Sequence, residues 1–255
     1  MNNYFGINLE FDQVKVHSII NKHIENRQKG YVCVVDGNVV ANAHKNKNYK
    51  AILNNSLVNI CDGKSIAQIA SIIHKRKLKT YTGPDIFSSF VRKKYKQLFL
   101  GNTEEVLNKL KEKFAKEGIN IEKMNFLPLP FKEVDQFDYT TISNTINQFS
   151  PDIIWISLGA PKQEIFISKL YPLINNGILF AIGAAFNLYI DDKKFKRAPK
   201  FMRYLGLEWL YRIFKEPKRI GKKAFNYFTI LPNLIIQELK NKRNKKIIQN
   251  ETIGS

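Results

Sequence analysis

The sequence predicts an α/β fold: a Rossmann-like, doubly wound, mostly parallel sheet followed by a C-terminal helical appendage rich in basic and aromatic residues. Three observations predict it. Five short apolar runs recur in the first 190 residues, and they are continuous rather than alternating, as strands buried on both faces of a parallel sheet require. Helical spacing fills gaps between them, and strand–helix alternation is the pattern of a doubly wound sheet. After about residue 190 no strand pattern follows, and aromatics mingle with Lys and Arg.

Taken in order, residues 13–28 carry Val14, Val16, Ile19, Ile20 and Ile24 at the spacing of one buried helix face. YVCVVD (31–36) and LVNIC (57–61) read as strands, and Ile66, Ile69, Ala70 and Ile73 make residues 64–76 a helix. LFLG (98–101) is the next strand. TEEVLNKLKEKFAKEG (103–118) opens on a Thr cap with early acids and stops at Gly118, a helix with both ends marked. DIIWISLG (152–159) precedes a helix that follows Pro161, and ILFAIG (178–183) is the last strand. The predicted division is a core over 1–191, a helical appendage over 192–247 and a disordered tail over 248–255. Pro217 and Pro232 are expected to cut the appendage into short helices.

The net charge is +19, and from Asp191 to Ser255 there are 17 Lys/Arg against 6 Asp/Glu. Such a basic end seeks phosphate, in nucleic acid, an anionic membrane surface or a diphosphate ligand. Cys33 and Cys61 lie inside apolar runs and read as reduced core residues, and no Cys/His spacing suggests zinc. MNNYFGINLEFDQ lacks the basic and apolar regions of a signal peptide, and no run reaches the roughly 20 apolar residues of a membrane span. There is no GxxxxGK[ST] and no GxGxxG. His17, His23, His44 and His74 are scattered over predicted helices and form no constellation.

Four features stand at or just after strand ends: Asp36-Gly37-Asn38, Asp62-Gly63, Leu158–Glu164 and Gly183-Ala184-Ala185-Phe186. In a parallel sheet all four share the carboxyl edge, where open α/β folds bind ligands. Each also has a plain reading as a cap or turn, because Asp is a good N-cap and Gly tolerates tight turns. The stretch around Pro161 is more specific, with Lys162, Gln163 and the first N–H groups of a helix set to meet a phosphate or sugar.

Together these features resemble the WecG/TagA/CpsF family of bacterial glycosyltransferases. The resemblance is carried by VVDGNVVANAHKN (34–46), CDGKSIA (61–67), YTGPDIF (81–87), FLGNTEEV (99–106), LGAPKQE (158–164), AIGAAFNL (181–188), KRAPK (196–200) and GLEWLYRIFKEPKRI (206–220). It spans most of the chain, from about residue 30 to 225. It implies an inverting hexosyltransferase that needs no metal and no cofactor. Such an enzyme moves N-acetylmannosamine or a related sugar from a UDP donor to polyprenyl-diphosphate-linked GlcNAc. It implies work at the inner face of the cell membrane, in teichoic acid, capsule or other surface polysaccharide synthesis, by a cytoplasmic, peripheral protein with an anionic membrane surface as partner. It also implies that the appendage docks on the membrane and closes over the active site.

By the same resemblance the general base falls on Asp62, because an inverting transfer needs a carboxylate to take the acceptor hydroxyl proton. Gln163 falls on a sugar or acceptor contact. Arg212 and Arg219 fall on diphosphate-binding cations, with Lys222 standing where Arg is expected and so lacking bidentate geometry. Further substrate contacts are expected at Asp36, Asn38, Gly63, Gly83, Gly101, Gly159, Lys162, Glu164, Gly183 and Arg197. The chain departs from the family pattern at Val34 and Asp36, where many members show Thr-x-Asn, and at Thr80, where many show Arg. Asp36 thereby becomes a candidate second carboxylate, reading a sugar hydroxyl.

Two other readings stay open on sequence alone. The charge favours a basic nucleic-acid-binding protein, against which stands the lack of a helix-turn-helix, RNP or KH signature. The Val34 and Thr80 departures leave room for a non-catalytic relative that binds a nucleotide sugar.

Overall fold

The computed structural model describes residues 2–191, 198–199, 201–202, 208–215 and 217–253. A small antiparallel hairpin comes first, β1 (Asn2–Tyr4) and β2 (Ile7–Leu9). Both residues of its turn, Phe5 and Gly6, have positive φ, the conformation that matches hairpin twist. Helix α1 (Gln13–Glu25) starts on Asp12, whose side chain accepts from the Val14 and Lys15 N–H groups. Its buried stripe is Val16, Ile20 and Ile24. Val14, expected in the core, is 78% exposed, because it lies in the first turn, off that stripe.

Each of the five apolar runs forms a strand: β3 (Gly30–Val35), β4 (Val58–Cys61), β5 (Gln97–Gly101), β7 (Ile153–Ser157) and β8 (Ile178–Ala181). With β6 (Met124–Leu127) at one edge they make a six-stranded, wholly parallel sheet in the order β4-β3-β8-β7-β5-β6. The five are buried along their whole length, which explains why their sequences are continuously apolar. β6 is half-buried, and the prolines that follow it conceal it in the sequence.

Alternation along β3 shows how one strand serves two cores. Tyr31, Cys33 and Val35 face one layer, while Val32 and Val34 face the other. The first layer is closed by α2 (Gly37–Lys45), α3 (Lys47–Asn54), α4 (Lys64–His74), α7 (Tyr139–Phe149) and α8 (Lys162–Leu170). The second is closed by α1, α5 (Gly83–Val91), α6 (Glu104–Lys116) and α9 (Ala185–Tyr189), around Phe87, Phe99, Phe114, Trp155 and Phe186. Both cysteines are free and buried.

Beyond the sheet come α10 (Glu208–Lys215) and α11 (Pro217–Ile253). The expected break at Pro232 does not occur, for α11 runs through it. Pro232 is exposed, on the face turned away from the core. On the opposite face Tyr227, Ile230 and Leu234 join the first core layer, and the buried Glu238 accepts the Phe5 N–H at 2.6 Å and meets His74 Nε2 at 2.7 Å. The helix is therefore bolted to the hairpin turn and to the end of α4.

Candidate active site

The sheet order brings the strand-end features together. Along the carboxyl edge Asp62 (after β4), Asp36 (β3), Gly183 (β8), Gly159 (β7) and Gly101 (β5) follow one another on adjacent strands. Helices α2, α4, α6, α8 and α9 begin at the same edge, so their positive dipole ends face the side where an anion would bind.

The two acids are differently employed. Asp36 is the N-cap of α2, and its Oδ1 accepts the Val39 N–H at 2.9 Å. In α4 the capping position falls on Gly63, which has no side chain to cap with, and Asp62 stands one residue outside it. The Asp62 N–H donates to Val35 O at 2.9 Å, prolonging the β3–β4 ladder so that the half-buried carboxylate is carried on a rigid strand end. Gly63 suits the close approach of the two tips. A Cβ there would lie 3.2 Å from Gly37 N and 3.3 Å from the Asp36 Cα. Asn38 is half-buried in the first turn of α2.

The remaining glycines divide into close-packed and open ones. A Cβ on Gly83 would sit 3.3 Å from Ile182 O and 3.5 Å from Val34, so this glycine lets the start of α5 close on the tips of β8 and β3. The start of α5 is held by a reciprocal Thr82–Asp85 capping box. Gly101, at φ +102°, would bring a Cβ to 3.1 Å from Ser157 O. Gly159 has φ +78°, and among the described residues a Cβ on it would meet nothing within 4 Å, so its face is open there.

Gln163 and Glu164, expected to touch substrate, are turned inward instead, 2% and 0% exposed. Gln163 Oε1 accepts both the Gly159 N–H at 3.1 Å and the Gly183 N–H at 2.9 Å, while Nε2 donates to Glu164 Oε1 at 2.9 Å. The Tyr49 hydroxyl donates to Glu164 Oε2 at 3.0 Å. Burial pushes the Glu164 carboxyl up to about 7, against the bonds from Gln163 and Tyr49 that favour its charged form. Burial likewise raises the Tyr49 phenol, with Glu164 adding to the effect. Lys162 points elsewhere, its ammonium donating to Lys132 O and lying 5.1 Å from the Phe131 ring centroid.

Four residues at this edge were not singled out from the sequence as site residues. Asn102, in the left-handed region at φ +65°, donates to Ser157 Oγ at 3.2 Å and Asn187 Oδ1 at 2.8 Å. Ser157 Oγ in turn donates to Gly183 O at 2.6 Å. A Gly-Asn pair after a strand is a turn signal that could have marked Asn102. The fourth is Tyr227 of α11. Its ring covers Gly37, where a Cβ would lie 3.0 Å from three ring atoms, and its hydroxyl accepts from Ser65 Oγ at 3.2 Å. Burial raises its phenol, with Cys61 and Asp36 nearby adding to the rise. The C-terminal helix thus rests on the two turns that carry Asp36 and Asp62.

Of the expected cations, Lys222 is exposed on α11. It lies five residues before Tyr227, roughly 7.5 Å along the helix axis. The backbone of Arg212 belongs to α10 and that of Arg219 to α11, with their side chains outside what is described; Arg197 lies outside the described residues. Among the described residues no helix is long and apolar enough to cross a membrane.

Comparison with known proteins gives this edge a context. Residues 3–245 match the glycosyl transferase WecG/TagA/CpsF family. One curated relative, from Bacillus subtilis strain 168, is 26% identical over 232 residues, covering 89% of this chain and 86% of its own. Another, from Bacillus spizizenii strain W23, is 24% identical over 225 residues, covering 87% and 83%. Both carry the name N-acetylglucosaminyldiphosphoundecaprenol N-acetyl-beta-D-mannosaminyltransferase. With a match that runs from the hairpin to the far part of α11, the chain belongs to the WecG/TagA/CpsF family of glycosyltransferases.

Proposed function

We propose that this protein is an inverting hexosyltransferase. It moves N-acetylmannosamine or a related sugar from a UDP donor to polyprenyl-diphosphate-linked GlcNAc, in the synthesis of a cell-surface polysaccharide or teichoic acid. The relatives' names supply the substrate class. From the geometry, one observation carries the reading: Asp62 stands on a rigid strand end, outside the capping position, in line with the glycine turns of β8 and β7.

In the reaction the acceptor hydroxyl gives its proton to the Asp62 carboxylate as its oxygen attacks the anomeric carbon. The new C–O bond forms on the face opposite the bond to the diphosphate, which breaks, and UDP leaves with the electron pair. Arg212, Arg219 and Lys222 take up the charge that develops on the diphosphate, without a metal, and Arg197 is a further substrate contact. Asp36 reads a sugar hydroxyl with the carboxylate oxygen that is not capping α2. Gly159 and Gly183 let the substrate come close to the backbone.

The division of labour follows the chain, with residues 1–191 as the catalytic core and 192–247 as a segment that docks on the membrane and closes the site. Support for docking comes from α11. Phe225, Phe228, Pro232, Ile236 and Leu239 recur at helical spacing on its exposed face, opposite the buried stripe of Tyr227, Ile230 and Leu234, with Lys240 and Arg243 exposed beyond them. An apolar stripe flanked by cations suits the interface of an anionic membrane. The enzyme would work there as a peripheral protein on the inner face.

The test is a donor screen of UDP-ManNAc, UDP-GlcNAc and UDP-glucose against one lipid-diphosphate-GlcNAc acceptor, run beside Asp62→Asn. Loss of the base should lower kcat by about 10²–10⁴-fold in a protein that still folds. Wild-type turnover in that variant would remove Asp62 from the mechanism.

A further inference from the structure

We propose that Glu164 is a positioning residue of the transfer site: it is the buried acceptor that holds the Gln163 amide in place as a staple across the turns at the ends of β7 and β8. What those turns meet rests on the transferase reading above; the staple rests on geometry alone.

The last backbone bond between these two strand ends runs from Ile182 N–H to Ile156 O, at 3.1 Å. Beyond it the chains turn away through Gly159 and Gly183, both at positive φ. Gln163 Oε1 then accepts from both glycines, at 3.1 and 2.9 Å. Backbone N–H groups only donate, so the end of the amide that faces them must be oxygen. The Nε2 hydrogens are left aimed into the interior, where only an acceptor can satisfy them. Glu164 Oε1 is that acceptor at 2.9 Å, and Tyr49 ties its other oxygen to α3 at 3.0 Å.

An apolar side chain would fill this buried position at less cost, since enclosing a carboxyl is unfavourable unless its bonds are made. What an apolar side chain cannot do is accept from Gln163. Without that acceptor the amide is buried with an unmet donor, so it turns or withdraws, and the two glycine turns lose their shared anchor. Gly159, whose face is open among the described residues, is then no longer held at a set distance from Asp36 and Asp62, two and three strands along the same edge. The groups facing Glu164 are Gln163 beside it on α8, Tyr49 from α3, and Asp36 and Cys33 from β3 and its tip.

The experiment uses full-length protein labelled with ¹⁵N-glycine, which has thirteen glycines to resolve. In the wild type the Gly159 and Gly183 amide signals should titrate together, with a midpoint of about 7. Glu164→Gln should abolish that transition, and Tyr49→Phe should move it upward, because one donor that favours the charged carboxylate is gone. Glu164→Met should shift both signals and lower kcat by about 100-fold with KM changed less than about 3-fold, whereas Glu164→Gln, which can still accept from Gln163, should stay within about 10-fold of wild type. If Glu164→Met does not fold, the isosteric Glu164→Gln and Tyr49→Phe variants carry the test.

Glycine signals that ignore Glu164 in an active wild type would overturn the proposal and leave the transferase reading standing. So would wild-type turnover in a folded Glu164→Met. A wild type that responds as described but transfers sugar from no donor would overturn the transferase reading, and with it the role assigned to Glu164.

Discussion

Adding one methyl group at Gly37 tests whether the C-terminal helix seats on the carboxyl edge of the sheet. In Gly37→Ala the new Cβ would sit 3.0 Å from Cγ, Cδ2 and Cε2 of Tyr227, flat on the ring face. Carbon pairs rest at about 3.5–4.0 Å, so ring or helix must retreat by roughly 0.5–1 Å. Tyr227 is 5% exposed and held through Ser65, which leaves it little room to move. Overpacking of this kind costs about 1–3 kcal/mol. Against it stands the gain from replacing Gly by Ala in the first turn of α2, up to about 1 kcal/mol. The net loss, about 1–2 kcal/mol, lowers Tm by roughly 2–8 °C in a chain of this size.

In a Tyr227→Ala background the obstacle is gone and only the helical gain remains, so Gly37→Ala should then stabilise by about 0.5–1 kcal/mol. The assay is a double-mutant cycle read by thermal and urea unfolding, with a coupling of about 1.5–3 kcal/mol expected between the two sites. Sugar transfer should fall in Gly37→Ala as the helix lifts from the Asp36 and Asp62 turns. An equal effect of Gly37→Ala in both backgrounds would refute the contact and the seating inferred from it.

Removing Glu238 by substitution with Ala strands the Phe5 N–H and loses the His74 partner, at a cost of about 1–3 kcal/mol. A lower urea midpoint and faster proteolysis of α11 are expected, and an unchanged midpoint would count against the bolt. Ending the chain at residue 195 withdraws Tyr227, Ile230 and Leu234 from the first core layer, each contributing about 2 kcal/mol of apolar burial. The shortened protein should therefore melt well below the full chain as well as lose activity; identical melting would show the core to be independent of the helix. The Glu164 carboxyl, raised in the folded state from 4.5 to about 7, binds more protons folded than unfolded between those values. Its contribution favours folding below about pH 4.5 and is lost as pH rises to about 7. Glu164→Gln should accordingly flatten the dependence of Tm on pH across this window and raise Tm at pH 8 relative to wild type. A dependence equally steep in the variant would place the titration on another group.

The central sheet could be read from consecutive residues, because strands buried on both faces must be apolar throughout, and all five such runs became strands. The α6 helix was equally legible from its Thr103 cap and early acids. β6 escaped notice because it is only half-buried and runs into prolines, and the opening hairpin because its strands have three residues each. Val14 and Pro232 were misread for a related reason: periodicity within a helix does not reveal which of its faces will be covered.

At the candidate site the sequence by itself determined which chemistry-bearing residues stand at strand ends, and a parallel sheet sends all strand ends of one sense to one edge. Only the tertiary structure decided what each does there. Asp36 caps a helix while Asp62 lies outside the cap, although both precede a glycine. Gln163 and Glu164 face inward to the turns of β7 and β8, and Tyr227 covers the Asp36 turn. The physical reason is range. Strand and helix formation answer to neighbours a few positions away, whereas a buried polar group is satisfied by whatever the fold delivers to it, as the Phe5 N–H is satisfied by a carboxylate 233 residues further along the chain.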